Sequence, residues 1–337
     1  MYDDLLIEIG LEELPAKNLE KLSLAFSNGV KTALKRNSVN FNNIEVFATP
    51  RRLAVVVQSL ASKAADREII IWGPPKHIAF DDACKPTQAA KAFAKKNDIK
   101  ISQISELIEN DGNQEKLCLR ELRIGAYTPD LLEGLIRQVL FEIPLEKRMR
   151  WGYLREEFIR PVRWAVVLYG SKTLNIEIMG IISSNTTRGH RFLAPDTILI
   201  SSVATYEEQL LNGFVIGRFG RRKEIIKEGA DKLAQEIGGK AVLTDQLLNE
   251  VSALNEWPVP LIGSFDKDYL KIPHEILISV MQQHQKYFHV IGADGDLMPY
   301  FITVANLISK APKQVSEGNE RVIKSRLADA KFFMKMT

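Results

Sequence analysis

The chain has 337 residues, with 45 Lys and Arg against 42 Asp and Glu for a formal net charge of +3, and is 45% hydrophobic and 26% charged. These proportions exclude a disordered, collagen-like or coiled-coil chain, and no apolar run nears the roughly 18 residues a membrane helix needs. Two cysteines, Cys84 and Cys118, are too few for a disulfide framework or a four-thiolate zinc site, and Met1-Tyr2-Asp3-Asp4 puts no basic patch ahead of an apolar stretch, so a reducing cytoplasmic setting without a leader is expected.

Residues 5–9 read as a buried strand. Pro15 then suits a first helical turn, Leu19, Leu22, Phe26, Val30, Ala33 and Leu34 recur at helical spacing, and Asn37 is a stop. Strands are expected over 44–47 and 53–57, joined by Thr49-Pro50-Arg51-Arg52, a turn presenting two guanidiniums. A strand over 68–72 closes at Gly73-Pro74-Pro75, Thr87 caps a short helix to residue 96, and Asp111-Gly112 marks a hairpin. Thr128-Pro129 opens a helix carrying Leu131, Leu132, Leu135, Ile136, Val139 and Leu140, which Pro144 ends. Strands follow over 164–169 and 176–182. A helix over 221–237 is stopped by Gly238-Gly239, a second starts at Thr244-Asp245, and a third starts at Pro273. Two strands over 287–291 and 300–305 flank Asp294-Gly295, another hairpin signal.

Strands and helices do not alternate strictly, so the class is α+β, with mixed sheets and packed helices. The expected domains are 1–145, 146–310, which holds a basic-aromatic window, and 311–337, the start of a helical domain. In the last, Asn319 is placed to cap a helix with Ile323, Leu327, Ala330 and Met334 on one stripe. That stripe, with Phe332 and Phe333, is still running at Thr337, which implies a chain cut inside a helix.

The charge is clustered. Residues 146–163 hold six basic residues, Lys147, Arg148, Arg150, Arg155, Arg160 and Arg163, against three glutamates, a net +3 in eighteen residues, with Trp151, Tyr153, Phe158 and Trp164 interleaved or adjoining. Arg218-Phe219-Gly220-Arg221-Arg222-Lys223 adds four positive charges and no acid. Thr186-Thr187-Arg188-Gly189-His190-Arg191-Phe192 packs two arginines, a histidine and a glycine into a turn. Arginines held on structured elements bind phosphates bidentately, and exposed aromatics stack on unpaired bases. Any one cluster taken alone also reads as a solvated face. Arg148, Arg150, Arg160 and Arg163 are the candidate phosphate contacts, with Arg188, His190 and Arg191 as a second patch and Arg51 and Arg52 beside them.

Catalytic signatures are lacking in the sequence. Gly213, Gly217 and Gly220 match no phosphate-binding loop. His284 and His289 offer no third metal ligand. Neither cysteine has a nucleophile signature, and Cys118 alternates into a core. Glu12-Glu13 and Glu156-Glu157 point different ways along the chain, so no acid–base pair is expected. Asn255-Glu256-Trp257-Pro258 reads as a helix exit packed by Trp257.

The landmarks Leu6-Ile7-Glu8-Ile9-Gly10-Leu11-Glu12-Glu13-Leu14-Pro15 and Thr49-Pro50-Arg51-Arg52-Leu53-Ala54 resemble the start of the beta subunit of bacterial glycyl-tRNA synthetase. So do Met149-Arg150-Trp151-Gly152, Arg160-Pro161-Val162-Arg163, Arg188 to Phe192, Glu256-Trp257-Pro258, Gln285-Lys286-Tyr287-Phe288, and Gly318 to Arg321 through Arg326 to Phe333. Family members often carry an acid where this chain has His284. The resemblance implies an alpha2beta2 heterotetramer in which the alpha subunit forms glycyl-adenylate from glycine and ATP with Mg2+, while the beta subunit binds tRNA(Gly). It implies an editing-type module like that of the phenylalanyl enzyme's beta subunit, a helical HD-type region beyond it, no cofactor or metal in this chain, and no DNA or membrane partner. Two alternatives remain open: an aminoacyl-tRNA editing hydrolase, and a scaffold for the alpha dimer.

Overall fold

The computed structural model describes residues 1–153 and 155–334. The architecture is α+β, and the chain forms two compact units, Met1–Ser62 with Pro129–Thr337, and Lys63–Thr128. Along the chain, the first unit begins with β1 (Tyr2–Leu11), α1 (Leu19–Arg36), β2 (Ile44–Thr49) and β3 (Arg52–Ala61). The second unit contains β4 (Arg67–Pro75), α2 (Lys76–Ala79), α3 (Gln88–Lys96), β5 (Ile108–Asn110) and β6 (Glu115–Arg123). Its antiparallel sheet, in the order β4-β6-β5, covers a small core of Ala90, Phe93, Ile104 and Leu117. Cys118 is buried, as its alternation implies.

The chain returns through α4 (Thr128–Glu142) and adds β7 (Val162–Tyr169) and β8 (Lys172–Thr173) to the first sheet. The sheet order is β2-β3-β1-β7-β8, antiparallel throughout. β1 is therefore central, paired on one side with β3, which comes after α1 and β2, and on the other with β7, which arrives only after the second unit has been built. That pairing draws residues 1–62 and the chain from Pro129 onward into one compact unit.

The central strands are buried on both faces. Leu6, Ala54, Val56, Val166 and Leu168 form one core with Ile200, Val203, Tyr206 and Leu210. Leu5, Ile7 and Ile9 alternate to the other face and are fully buried. α1 packs on β2 and β3 through its apolar stripe. Gly29 on α1 lets Val139 of α4 come so close that a Cβ would sit 2.8 Å from its Cγ1.

Short strands follow: β9 (Glu177–Ile178), β10 (Ile181–Ile182), β11 (Thr186–Arg188) and β12 (Thr197–Leu199). The single strand expected over 176–182 is instead the tight β9–β10 hairpin, because Met179 (φ 47°) and Gly180 (φ 76°) both take the left-handed turn conformation. Beyond lie α5 (Tyr206–Asn212), α6 (Phe219–Glu236), β13 (Lys240–Val242), α7 (Asp245–Leu254), β14 (Val259–Ser264), α8 (His274–Ser279), β15 (Phe288–Ile291) and β16 (Leu297–Ala305). A second antiparallel sheet, β13-β15-β16-β14, buries Phe288, Val290 and Ile302 against α6 and α7. Thr244 caps α7 by accepting from the Leu247 amide, as the Thr-Asp start signals.

The last helix, α9 (Pro312–Met334), begins seven residues before the expected cap at Asn319. Asn319 is instead internal: its Nδ2 donates to the Val315 carbonyl at 2.8 Å and its Oδ1 accepts from Tyr287 at 2.6 Å. A tertiary partner thus holds a residue whose local preference is for a cap. Ile323 and Leu327 are fully buried against Leu277, Met281 and Phe301. Phe332 is exposed, and the expected packing of Phe333 and Met334 lies outside the described side chains. Among the described residues, no helix is long and apolar enough to cross a membrane.

Candidate functional site

Two adjacent rows of side chains on the first sheet build the site. Gly10 pairs with Arg52 on one side and Trp164 on the other, and Glu8 pairs with Ala54 and Val166. Paired positions share a face, so Arg52, Gly10 and Trp164 form one row and Ala54, Glu8 and Val166 the next. Only glycine permits this row: a Cβ on Gly10 would lie 1.9 Å from the Trp164 ring. The ring occupies that space, and its Nε1–H donates to Glu8 Oε1 at 2.5 Å.

Glu8 is completely buried and accepts from four groups: Trp164, Thr187, the Tyr206 hydroxyl and Arg52, the last at 3.5 Å. Burial, and next the Glu8 charge, push the Tyr206 hydroxyl well above the ordinary tyrosine value, so it stays a donor. Arg52 is equally buried. Its guanidinium also donates to the Arg188 carbonyl at 2.5 Å and to Thr49 and Thr187 at 3.3 Å, and lies 3.9 Å from Glu256. Burial works to lower its pKa, but Glu8 and Glu256 outweigh it and hold it above the usual arginine value. A buried charge network is stable only when every member is paired, and this one is.

Arg51 points the other way from the same turn. Its Nη2 donates to Glu256 Oε2 and to the Gly189 carbonyl, both at 2.7 Å. Glu256 Oε1 accepts from Thr49 at 2.9 Å. Burial would raise the Glu256 carboxyl, but Arg52 and Arg51, with the bonds from Arg51 and Thr49, hold it below the ordinary carboxylate range.

Arg51 forms a wall of two small cavities. The larger, about 180 Å³, is also lined by Glu12, Arg163, Trp164, Arg188 and Arg191. The smaller, about 70 Å³, is lined by Glu13, Arg51, His190, Arg191, Glu256 and Asn306 among others. His190 is buried with Nδ1 accepting from the Phe192 and Leu193 amides at 3.2 Å, which leaves the proton on Nε2, and Nε2 has no hydrogen-bond partner among the described residues.

The structure therefore brings Arg51, Arg163, Arg188, His190 and Arg191 together at one end of the first sheet. Arg52 belongs to the same cluster but has no solvent access, and Arg51 is itself nine-tenths buried, so the turn 49–52 shows the cleft only the edge of one guanidinium, not two. Arg160 lies beside them and clamps backbone, donating to the Glu13 carbonyl at 3.0 Å and the Ile159 carbonyl at 3.1 Å. Arg148 and Arg150 lie elsewhere, on a groove of about 1190 Å³ with Arg137, Arg155, Phe141 and Tyr153. There Arg148 donates to the Phe141 and Ile143 carbonyls at the end of α4, at 2.8 and 3.0 Å, and Arg150 pairs with Glu157 at 2.7 Å. The second basic cluster is also divided: Arg222 is buried, while Arg218 and Arg221 line a separate groove. Among the described residues no group of three acidic, histidine or cysteine side chains is arranged to hold a metal ion.

Sequence reasoning missed Glu8, Thr187, Tyr206 and Glu256. One signal was present: Glu8 is the only charge in Leu5-Leu6-Ile7-Glu8-Ile9, the mark of a buried, paired acid.

Fold and site together define an α+β protein with a buried charge network beneath an arginine-lined surface cleft. The chain belongs to the glycyl-tRNA synthetase beta subunit family, whose sequence model matches residues 5–336. It is 44% identical over 333 residues to the glycine–tRNA ligase beta subunit of Hahella chejuensis, covering 98% of this chain and 48% of that protein. The corresponding proteins of Marinobacter nauticus and Pseudomonas aeruginosa are 45% and 44% identical over 332 residues, with the same coverage. The chain thus spans about half the length of the curated relatives it matches.

Proposed function

We propose that this chain is the tRNA-binding and assembly part of a heterotetrameric glycine–tRNA ligase, in which two such beta subunits and two alpha subunits attach glycine to tRNA(Gly) in the cytoplasm. ATP, Mg2+ and glycyl-adenylate chemistry belong to the alpha subunit in this reading, and no catalytic residue is assigned here. Family membership supports the ligase role. The observation that carries the tRNA role is the convergence of Arg51, Arg163, Arg188 and Arg191 on one cleft against a single lining carboxylate, Glu12.

Guanidiniums held this way bind phosphodiester oxygens in pairs and release counterions as they do so. Arg51 is pre-positioned by Glu256 and the Gly189 carbonyl, so little side-chain freedom remains to be given up on binding. Arg148 and Arg150, on the larger groove, form a second contact region in the same reading.

The reading is tested by titrating labelled tRNA(Gly) against the chain, with pull-down of the alpha subunit in parallel. Saturable tRNA binding that weakens on Arg163→Gln supports the role, and alpha capture without any tRNA binding reduces the chain to a scaffold. The buried His190, whose Nε2 has no hydrogen-bond partner among the described residues, lies beside the 70 Å³ cavity and favours one second reading, an editing-type module like that of the phenylalanyl enzyme's beta subunit. Release of amino acid from mischarged tRNA(Gly) by this chain, lost on His190→Gln, would support that reading, and a rate equal to buffer rejects it.

A further inference from the structure

The four arginines of the cleft are not equally free. Glu12 extends one oxygen to each of two of them: Oε1 lies 3.3 Å from Arg163 Nε, and Oε2 lies 3.9 Å from Arg191 Nη2. Glu13 takes the other terminal nitrogen of Arg191 at 3.3 Å. Arg188 has no acidic partner among the described residues, and its guanidinium sits 5.6 Å from the Trp164 ring centre. Arg51 is fixed from below by Glu256. A two-oxygen anion thus already sits between two guanidiniums, with a third unpaired cation beside it.

We infer that Glu12 is a placeholder for an RNA backbone phosphate, which displaces it from Arg163 and Arg191 on binding. The inference rests on the proposed tRNA role and names the phosphate subsite within it. Three features support it. A carboxylate and a phosphodiester each present two oxygens in a plane, the geometry that guanidinium forks recognise. The Glu12 contacts are longer than the 2.7–2.9 Å of a strong charge-assisted bond, and all three side chains are about half exposed, so exchange is cheap. The backbone under Glu12 is anchored independently, through its amide to the Pro161 carbonyl at 3.1 Å and the Leu11 amide to the Arg51 carbonyl at 2.8 Å, so the carboxylate can swing out without moving the strand.

The cleft's volume, about 180 Å³, admits a phosphate with part of its ribose but not a whole nucleotide. The placeholder gives selectivity. A lone small anion gains little by exchanging with a carboxylate already in place, whereas a polyanion that also reaches Arg188 and Arg51 forms ion pairs that Glu12 never made. Glu12 therefore lowers affinity for any RNA that engages only Arg163 and Arg191.

The test is the affinity of this chain for labelled tRNA(Gly), read by fluorescence anisotropy at fixed salt. Glu12→Gln is expected to tighten binding about two- to fivefold, the size of a surface charge-pair effect. Asp268→Asn, which removes one charge from a remote surface pair with Lys271, controls for net charge and is expected to change little. In an Arg163→Gln, Arg191→Gln background, the gain from Glu12→Gln should vanish. Unchanged or weaker binding by Glu12→Gln overturns the inference, as does an equal gain in the double-arginine background or in Asp268→Asn. In each of those cases wild-type binding still upholds the tRNA role. Failure of the wild-type chain to bind tRNA overturns both together.

Discussion

Arg51 and Glu256 stand 205 positions apart in the chain and 2.7 Å apart in the fold. The pair joins the turn after β2 to the segment after α7, and the same carboxylate reaches Thr49 and lies within 3.9 Å of Arg52. One acid thus fixes the arginine that walls the cleft and helps to neutralise the one buried beneath it. Replacing Glu256 by Gln should leave two buried guanidiniums undercompensated and cost about 3–5 kcal/mol, the range for breaking one side of a buried ion pair. Denaturant unfolding measures this, and a loss under about 1 kcal/mol would show that the pair does not hold the turn in place.

The same residue sets an acid limit. Glu256 is held below the ordinary carboxylate value of 4.5, so as pH falls below that value the unfolded chain takes up a proton that the folded chain refuses. Its stabilisation is complete above about pH 4.5 and is lost as pH falls through the folded value. Burial likewise lowers His289 from 6.5, which keeps it neutral opposite Gln282 at 3.2 Å, and this adds a loss of stability that begins as pH drops below 6.5. Unfolding free energy measured from pH 7 down to about pH 2 should decline in both windows, and Glu256→Gln should flatten the lower one.

Gly10→Ala places a methyl 1.9 Å from the Trp164 ring and must displace it. The Trp164 to Glu8 hydrogen bond breaks with it. We expect a loss of about 3 kcal/mol or more, above the usual cost of overpacking because a buried acceptor is also stranded. Tryptophan fluorescence should shift alongside the melting temperature. A variant of unchanged stability and emission would contradict the close packing of Gly10 against Trp164.

Much of this fold was legible in the sequence. The central strand, the helix that stops at Asn37, the strands joined by Thr49-Pro50-Arg51-Arg52, the Thr244 cap and the hairpins at Asp111-Gly112 and Asp294-Gly295 all follow from local spacing and turn chemistry. What was not legible is long-range. Arg51 and Arg52 are neighbours in sequence, and nothing local says that one lines a cleft while the other is sealed among Glu8, Thr187 and the Arg188 carbonyl. Glu256 reads as part of a helix exit until the fold places it under the turn. The window 147–163 looked like one patch, but the strand geometry sends Arg163 to one cleft and leaves Arg148 and Arg150 on another groove.

Arg222 provides a check on the buried scaffold. Its guanidinium donates to the carbonyls of Ile216 at 2.6 Å, Ala48 at 2.7 Å, Ser252 at 3.1 Å and Gly217 at 3.3 Å. Burial pushes its pKa down to about 9, which leaves it charged at neutral pH. Arg222→Met strands those carbonyls, at about 1–3 kcal/mol for each that finds no water, and should unfold or strongly destabilise the chain. Arg222→Lys, with a compact head and fewer donors, should recover only part of the loss. Circular dichroism melts of the two variants decide.

Salt dependence shows whether the arginine cleft grips tRNA phosphates. Affinity for tRNA(Gly) is measured for wild type and for Arg163→Gln, Arg188→Gln from about 50 to 200 mM KCl, and log Kd is plotted against log salt. If the cleft grips phosphates, the double variant binds more weakly and its slope is shallower by about two, one unit for each guanidinium removed. Equal affinity and equal slope would place the tRNA contacts elsewhere and leave the cleft with no part in binding.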